Sequence, residues 1–303
     1  MPFDIGVARL GTAGVERCRR RWYSTPVNSI DGYKDIHDNV RFWIERLTRS
    51  IRKDGAVVLY DLGSNDGEVT LPVLLGGAGE TGAVLGERAG GVHLVAFEPL
   101  PGARARLINR VSGEGLTVAL WGTADVTVIP LALGDTDRMI TLDVYDDDTF
   151  SSLYERPPAE LERYRLTAVE QVRVRMRPLD DLVRAGTVPP PDAIKIDVEG
   201  AELSVLRGAA ETLSGWHPPI LMEFSCVNAG NAGYDRAELV DLLESLGYTR
   251  IFGLFRNEDR YLYGKESFSD CRIWNVIALH DKTELPPGVV EEYRAAWEKD
   301  ATR

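Results

Sequence analysis

Apolar residues in this chain fall into short continuous runs, and the segments between them carry helical spacing. Val57-Val58-Leu59, Val92 to Phe97, Val126 to Leu133, Ala193 to Val198, Pro219 to Phe224, Tyr248 to Phe255 and Ile273 to Leu279 are the runs. Consecutive apolar positions predict strands buried on both faces, as in a parallel sheet. Helical spacing appears at Val40, Trp43, Ile44, Leu47 and Ile51, with Asp38 placed to cap the start. It recurs over Glu68 to Leu75, where Pro72 should sit in the first turn or kink the helix, and over Ala103 to Val111. After Gly200 it continues through Leu203, Leu206 and Leu213. Leu239, Leu242, Leu243 and Leu246 follow the capping-box pair Asp235 and Glu238, and Gly247 ends that helix. Strand and helix therefore alternate, which predicts an α/β doubly wound sheet.

One region breaks the alternation. Ile140 to Tyr145 and Gln171 to Met176 alternate apolar and polar, as half-exposed strands do. They are expected to form an inserted antiparallel piece beside the site. Between them lies Asp146-Asp147-Asp148, read as a solvated loop. The expected organisation is an N-terminal arm and helix over 1–50 that could lie as a lid, one catalytic domain over 51–281, and a C-terminal tail over 282–303.

Composition narrows the function classes. The chain has 303 residues and a formal net charge of −12. Such an acidic balance argues against nucleic acid or an anionic membrane as partner, since both need a basic footprint. The run Arg17-Cys18-Arg19-Arg20-Arg21 reads as a solvated arm. No apolar run reaches membrane-span length, and the N-terminus lacks a signal-peptide core. Three cysteines, Cys18, Cys226 and Cys271, form no C-x-x-C pair. That pattern points to a reducing, cytoplasmic setting. The expected partner is a small-molecule acceptor; a homo-oligomer is left open.

Candidate chemistry gathers at the strand ends. The first strand runs into Asp61-Leu62-Gly63-Ser64-Asn65-Asp66-Gly67. A dinucleotide site would show G-x-G-x-x-G, which aims backbone N–H groups at a diphosphate. Here acids replace part of that pattern, and acids would repel a diphosphate. They suit S-adenosylmethionine, which carries an ammonium, a sulfonium and a ribose diol. Asp61, Gly63, Ser64, Asn65 and Gly67 are therefore candidates for the methionine end. Glu98, followed by Pro99, ends the second strand, where a carboxylate can accept from both ribose hydroxyls. Ala132 and Leu133 end the third strand and are candidates for the adenine wall. Asp197 and Glu199 end the fourth, two residues apart and so on one face if the strand continues, and Glu223 ends the fifth. Asp197, which also counts among the cofactor contacts, Glu199, Glu223 and His37 are the candidates for the general base, in that order. Asp197 and Glu199 could instead bind a divalent cation, although nothing else in the sequence supports a metal. Glu199 has a structural alternative too, as cap of the helix after Gly200. His93 reads as a satisfied core residue.

Three of these motifs together, Asp61 to Gly67, Phe97-Glu98-Pro99 and Ile194-Lys195-Ile196-Asp197-Val198-Glu199-Gly200-Ala201-Glu202, resemble the FkbM family of S-adenosylmethionine-dependent methyltransferases. The resemblance spans about Val57 to Phe255. It implies a class I methyltransferase fold, Rossmann-like, with a seven-stranded, mostly parallel sheet, helices on both faces and a last antiparallel hairpin. It also implies O-methylation of a hydroxyl, often on a natural product or sugar. The alternatives are a nicotinamide (NAD(P))-dependent oxidoreductase on a related doubly wound sheet and a non-catalytic nucleoside-binding module.

Overall fold

A computed structural model of the chain describes residues 40–41, 43–45, 47–48, 51, 54–74, 91–121, 124–255, 261–263 and 273–283. Its centre is a nine-stranded sheet. In chain order the strands of this sheet are β1 (Val57–Leu62), β2 (Val92–Phe97), β3 (Val118–Leu120), β4 (Val126–Ile129), β8 (Ala193–Ile196), β9 (Ile220–Glu223), β10 (Arg250–Phe255), β11 (Tyr261–Tyr263) and β12 (Ile273–Leu279). Across the sheet they lie in the order β11-β10-β12-β9-β8-β1-β2-β4-β3. The pairs from β9 through β8, β1 and β2 to β4 and β3 are parallel. Strand β12 enters antiparallel between β9 and β10. All seven strands expected from the apolar runs are present, and the short strands β3 and β11 extend the two edges.

The order reverses at β1, whose neighbours are β2 and β8. Crevices in open α/β sheets form at such a switch point, outside the carboxyl ends of the strands. Both faces are covered, as the consecutive apolar positions require. Tyr60 and Leu62 pack with Leu203, Leu206 and Leu213 on one side. Leu59 and Leu94 pack on the other with Trp43, Ile44, Leu47, Leu71 and Leu107. The expected first helix is thus helical among residues 40–48 and seated on the sheet. Its Trp43 is 2% exposed. Burying a side chain of this size contributes about 1.5–3 kcal/mol or more.

Several boundaries differ from the sequence pattern, each for a local reason. The run Val126 to Leu133 divides at Pro130, which has no N–H to donate to a ladder. Its second half, β5 (Ala132–Leu133), joins a separate three-stranded sheet with β6 (Arg138–Tyr145) and β7 (Ala168–Arg177). In that sheet β6 and β7 are antiparallel, as expected, while β5 and β7 are parallel. The predicted helix over Glu68 to Leu75 is confined to Leu71–Leu74 among the described residues. The helix after Gly200 is two, Glu202–Gly208 and Ala210–Trp216. The capping box of Asp235 and Glu238 forms as read. His93 is a satisfied residue as expected, bonding Thr127 Oγ1 at 2.9 Å.

Candidate active site

A cleft opens at the carboxyl ends of the parallel strands. Among the described residues that line it are Gly63, Asn65, Glu98, Pro99, Ala132, Leu133, Asp197 and Glu199. Candidates from four strand ends thus meet in one place. Leu131, Ile140, Leu142 and Met176 give the cleft an apolar wall, the last three contributed by the inserted sheet.

The loop after β1 is shaped by its glycines. Gly63 has φ +78°, and a Cβ there would lie 1.8 Å from the Asp197 carbonyl oxygen. Only glycine lets the β1 and β8 exits touch at this point. Gly67, also at φ +78°, packs against Leu107 and Leu71 instead of facing the cleft. Ser64 is buried, and its Oγ has no hydrogen-bond partner among the described residues. Ser151 Oγ, at the cleft wall, is likewise unpartnered.

Asp61 lies behind the loop rather than in the cleft. It is fully buried, with Lys195 Nζ at 2.9 Å from Oδ1 and the Thr70 hydroxyl donating to Oδ2 at 2.5 Å. Lys195 also reaches the Gly63 carbonyl at 3.3 Å and an Asp197 oxygen at 3.5 Å. Burial pulls this ammonium down, but the Asp61 and Asp197 carboxylates outweigh it and hold the lysine above its ordinary range. One buried cation therefore ties the β1 loop to the end of β8.

Glu98 is 4% exposed and accepts from two backbone N–H groups, Asn65 at 2.8 Å and Leu100 at 2.7 Å. Burial pushes its carboxyl up to about 7, against those two bonds. Each oxygen keeps a further lone pair for a ligand hydroxyl. Asp148, read in the sequence as solvated, lines the same cleft. It accepts from Asn65 Nδ2 at 3.2 Å and forms an ion pair with Arg106 at 2.6 Å.

Strand β8 stops at Ile196, so Asp197 and Glu199 belong to its exit loop and are not strand neighbours on one face. Glu199 adopts a left-handed backbone, φ +52°, and Gly200 follows at +104°. Glu199 does not cap the next helix. No side chain among the described residues caps that helix at Ala201; Glu202 Oε1 accepts instead from the loop N–H groups of Val198 and Gly200, at 3.2 Å each. Glu199 turns instead toward Arg156 and Asn228, whose Nδ2 donates to it at 3.0 Å. The same Nδ2 donates to both oxygens of Glu223 at 3.0 Å. Asp197, Glu199 and Glu223 can each bring one oxygen within 4.8 Å of the others. Burial pushes Glu199 up to about 7, with Arg156 opposing, and burial with the neighbouring Glu199 and Asp197 charges holds Glu223 well above the carboxylate range. His37 lies outside the described residues.

Lys195, Asp148, Arg156 and Asn228 escaped the sequence reading. Lys195 had one signal, a charged residue inside an otherwise apolar run. The other three come from the insertion or from the short helix Cys226–Ala232, and no local pattern marks them.

Comparison with known proteins adds four observations. The model of the methyltransferase FkbM domain matches residues 61–250. The hexuronic acid methyltransferase AglP of Haloferax volcanii is 29% identical over 203 residues, covering 67% of this chain and 68% of that one. Among solved structures, the methyltransferase FkbM from Methylobacillus flagellatus KT is 18% identical with a TM-score of 0.42; the match covers 75% of this chain but 44% of that one. The magnesium protoporphyrin IX methyltransferase ChlM from Synechocystis PCC 6803, solved with bound SAM, is 10% identical with a TM-score of 0.43, over 93% of this chain and 100% of that one.

Proposed function

This chain belongs to the FkbM family of methyltransferases, and from that premise we propose that it methylates a hydroxyl of a small neutral acceptor, a sugar or natural product, with S-adenosylmethionine as donor. The observation that carries the reading is the lining of the cleft. Among its described residues stand the carboxylates Glu98, Asp148, Asp197 and Glu199 and no lysine or arginine. A diphosphate would meet repulsion there, which counts against a nicotinamide dinucleotide. A sulfonium nucleoside with a ribose diol suits it. Glu98 would accept from the ribose hydroxyls, with Pro99 turning the chain beside it. Ala132, Leu133 and the apolar wall would hold the adenine. Gly63, Asn65 and the unpartnered Ser64 hydroxyl would meet the methionine end. Asp61 and Gly67 would act from behind, by fixing the loop.

The bound cofactor supplies an activated methyl group on sulfur, and the chain's own task is to position the acceptor and remove its proton. We assign the proton to Asp197. Its side chain is 41% exposed, against 20% for Glu199, whose oxygen is held by Arg156. Glu223 is buried and bound to Asn228. A positioned base is worth about 10²–10⁴-fold. A carboxylate acceptor, as the name of the Haloferax relative invites, fits less well, because Arg106, Arg156 and Lys195 are each engaged by a protein carboxylate.

The test is incubation with methyl-labelled S-adenosylmethionine and a panel of neutral polyols, glycosides and hydroxylated natural products, read by mass spectrometry. Label should appear as an O-methyl ether, and Asp197→Asn should lower its rate by about 10²-fold or more. Label on nitrogen or on a carboxylate, or full activity in the variant, would refute the assignment.

A further inference from the structure

Arg156 comes from the inserted segment, belongs to no motif, and does not line the cleft, yet its head group ends among the site's carboxylates. It is 3% exposed. Nη2 donates to Glu199 Oε2 at 2.5 Å, Nη1 to Glu160 and, at 3.4 Å, to Asn228 Oδ1, and Nε to the Phe150 carbonyl at 2.8 Å. The guanidinium carbon lies 5.2 Å from the Phe150 ring centroid. Asn228 then passes its amide hydrogens to Glu199 and Glu223. Glu199 and Glu223 thus share one guanidinium, the first directly and the second through an amide.

We propose that Arg156 is a positioning residue standing where a carboxylate cluster would otherwise recruit a divalent cation. Three converging carboxyl groups ordinarily need a compensating positive charge. Here the chain supplies it from within. A planar fork with donors in fixed directions reaches a carboxylate, a second carboxylate and a carbonyl at once. The consequence is an orientation: Glu199 is turned away from the acceptor, leaving Asp197 as the exposed carboxylate. The inference rests on reading this cluster as the acceptor end of the methyl-transfer cleft.

The test uses the full chain, stripped with chelator at pH 8, and MnCl₂ alone as the probe. Binding is scored by calorimetry and by the Mn²⁺-dependent rise in Tm, counting only the part that Glu223→Gln abolishes. Wild type should show none. Arg156→Gln removes the guanidinium from Glu199 and should gain Glu223-dependent Mn²⁺ binding, with a Tm that climbs as Mn²⁺ is added. Arg156→Lys keeps the charge and should stay unresponsive. Glu223-dependent Mn²⁺ binding by wild type overturns the proposal, as does a folded Arg156→Gln without a Mn²⁺ response. If Arg156→Gln does not fold, wild type and Arg156→Lys decide: a Mn²⁺ response in either overturns the proposal, and silence in both upholds it. S-adenosylmethionine titrated separately into the same preparations tests the cofactor assignment independently.

Discussion

Replacing Lys195 by methionine keeps the buried stem and deletes the charge that links the β1 loop to β8. Lys195 is 3% exposed and Asp61 0%, so water cannot replace the lost ammonium. Asp61 would keep the Thr70 hydroxyl alone, and the Gly63 carbonyl would lose its contact at 3.3 Å. Removing one partner of a buried pair costs about 3–5 kcal/mol. That is a large part of the roughly 5–15 kcal/mol that holds a typical protein folded. At about 2–4 °C per kcal/mol for large domains, Tm should fall by roughly 6–20 °C. The deficit should shrink on acidification, because burial already favours protonated Asp61 and a neutral carboxyl needs no counter-charge. The double variant Asp61→Asn with Lys195→Met removes both charges and keeps an acceptor for Thr70. It should recover at least half of the loss, and because Asp61→Asn alone strands the buried ammonium, the coupling in a double-mutant cycle should exceed about 2 kcal/mol. Urea unfolding followed by circular dichroism measures all four corners. A single variant within about 1 kcal/mol of wild type, or losses that simply add, would refute the reasoning.

Gly63→Ala should cost about 1–2 kcal/mol for its left-handed backbone and more for the collision with the Asp197 carbonyl. Gly91→Ala, at φ +67° with open space around it, is the matched control, and equal Tm losses in the two would sink the contact argument. Glu98→Ala should weaken S-adenosylmethionine binding strongly by calorimetry, and an unchanged affinity would remove the ribose assignment. In the unliganded protein Glu98 is raised to about 7 from 4.5, so its contribution to stability is complete below pH 4.5 and is lost as pH rises through 7. That contribution is on the order of 3 kcal/mol, and Glu98→Gln should abolish it in a pH series of unfolding curves. Ribose hydroxyls prefer the ionised form, so cofactor affinity should rise through pH 7 in wild type and stay flat in Glu98→Gln.

Much of the site was legible because its residues end strands. An apolar run fixes where a parallel strand stops, and the first polar residue beyond it sits at the crevice, as Glu98 does. Asn65 and Gly63 were legible for the same reason. Asp61 was placed correctly along the chain but on the wrong side of the loop, since no spacing shows that Lys195 lies across from it. The continuation of β8 through Glu199 was an extrapolation of alternation that a left-handed residue breaks, and side-chain chemistry alone does not reveal a positive φ at glutamate. Asp148 and Arg156 were illegible for a plainer reason. They are brought to the site's carboxylates, Asp148 in the cleft and Arg156 behind it, through the pairing of β6 with β7, a long-range contact that leaves no periodic trace around residues 146–156.

Co-crystallisation with S-adenosylhomocysteine tests the central claim most directly. The predicted result is one nucleoside in the cleft with its ribose hydroxyls on Glu98 and its sulfur toward Asp197. An unfilled cleft at saturating ligand, or the nucleoside bound elsewhere, would contradict it.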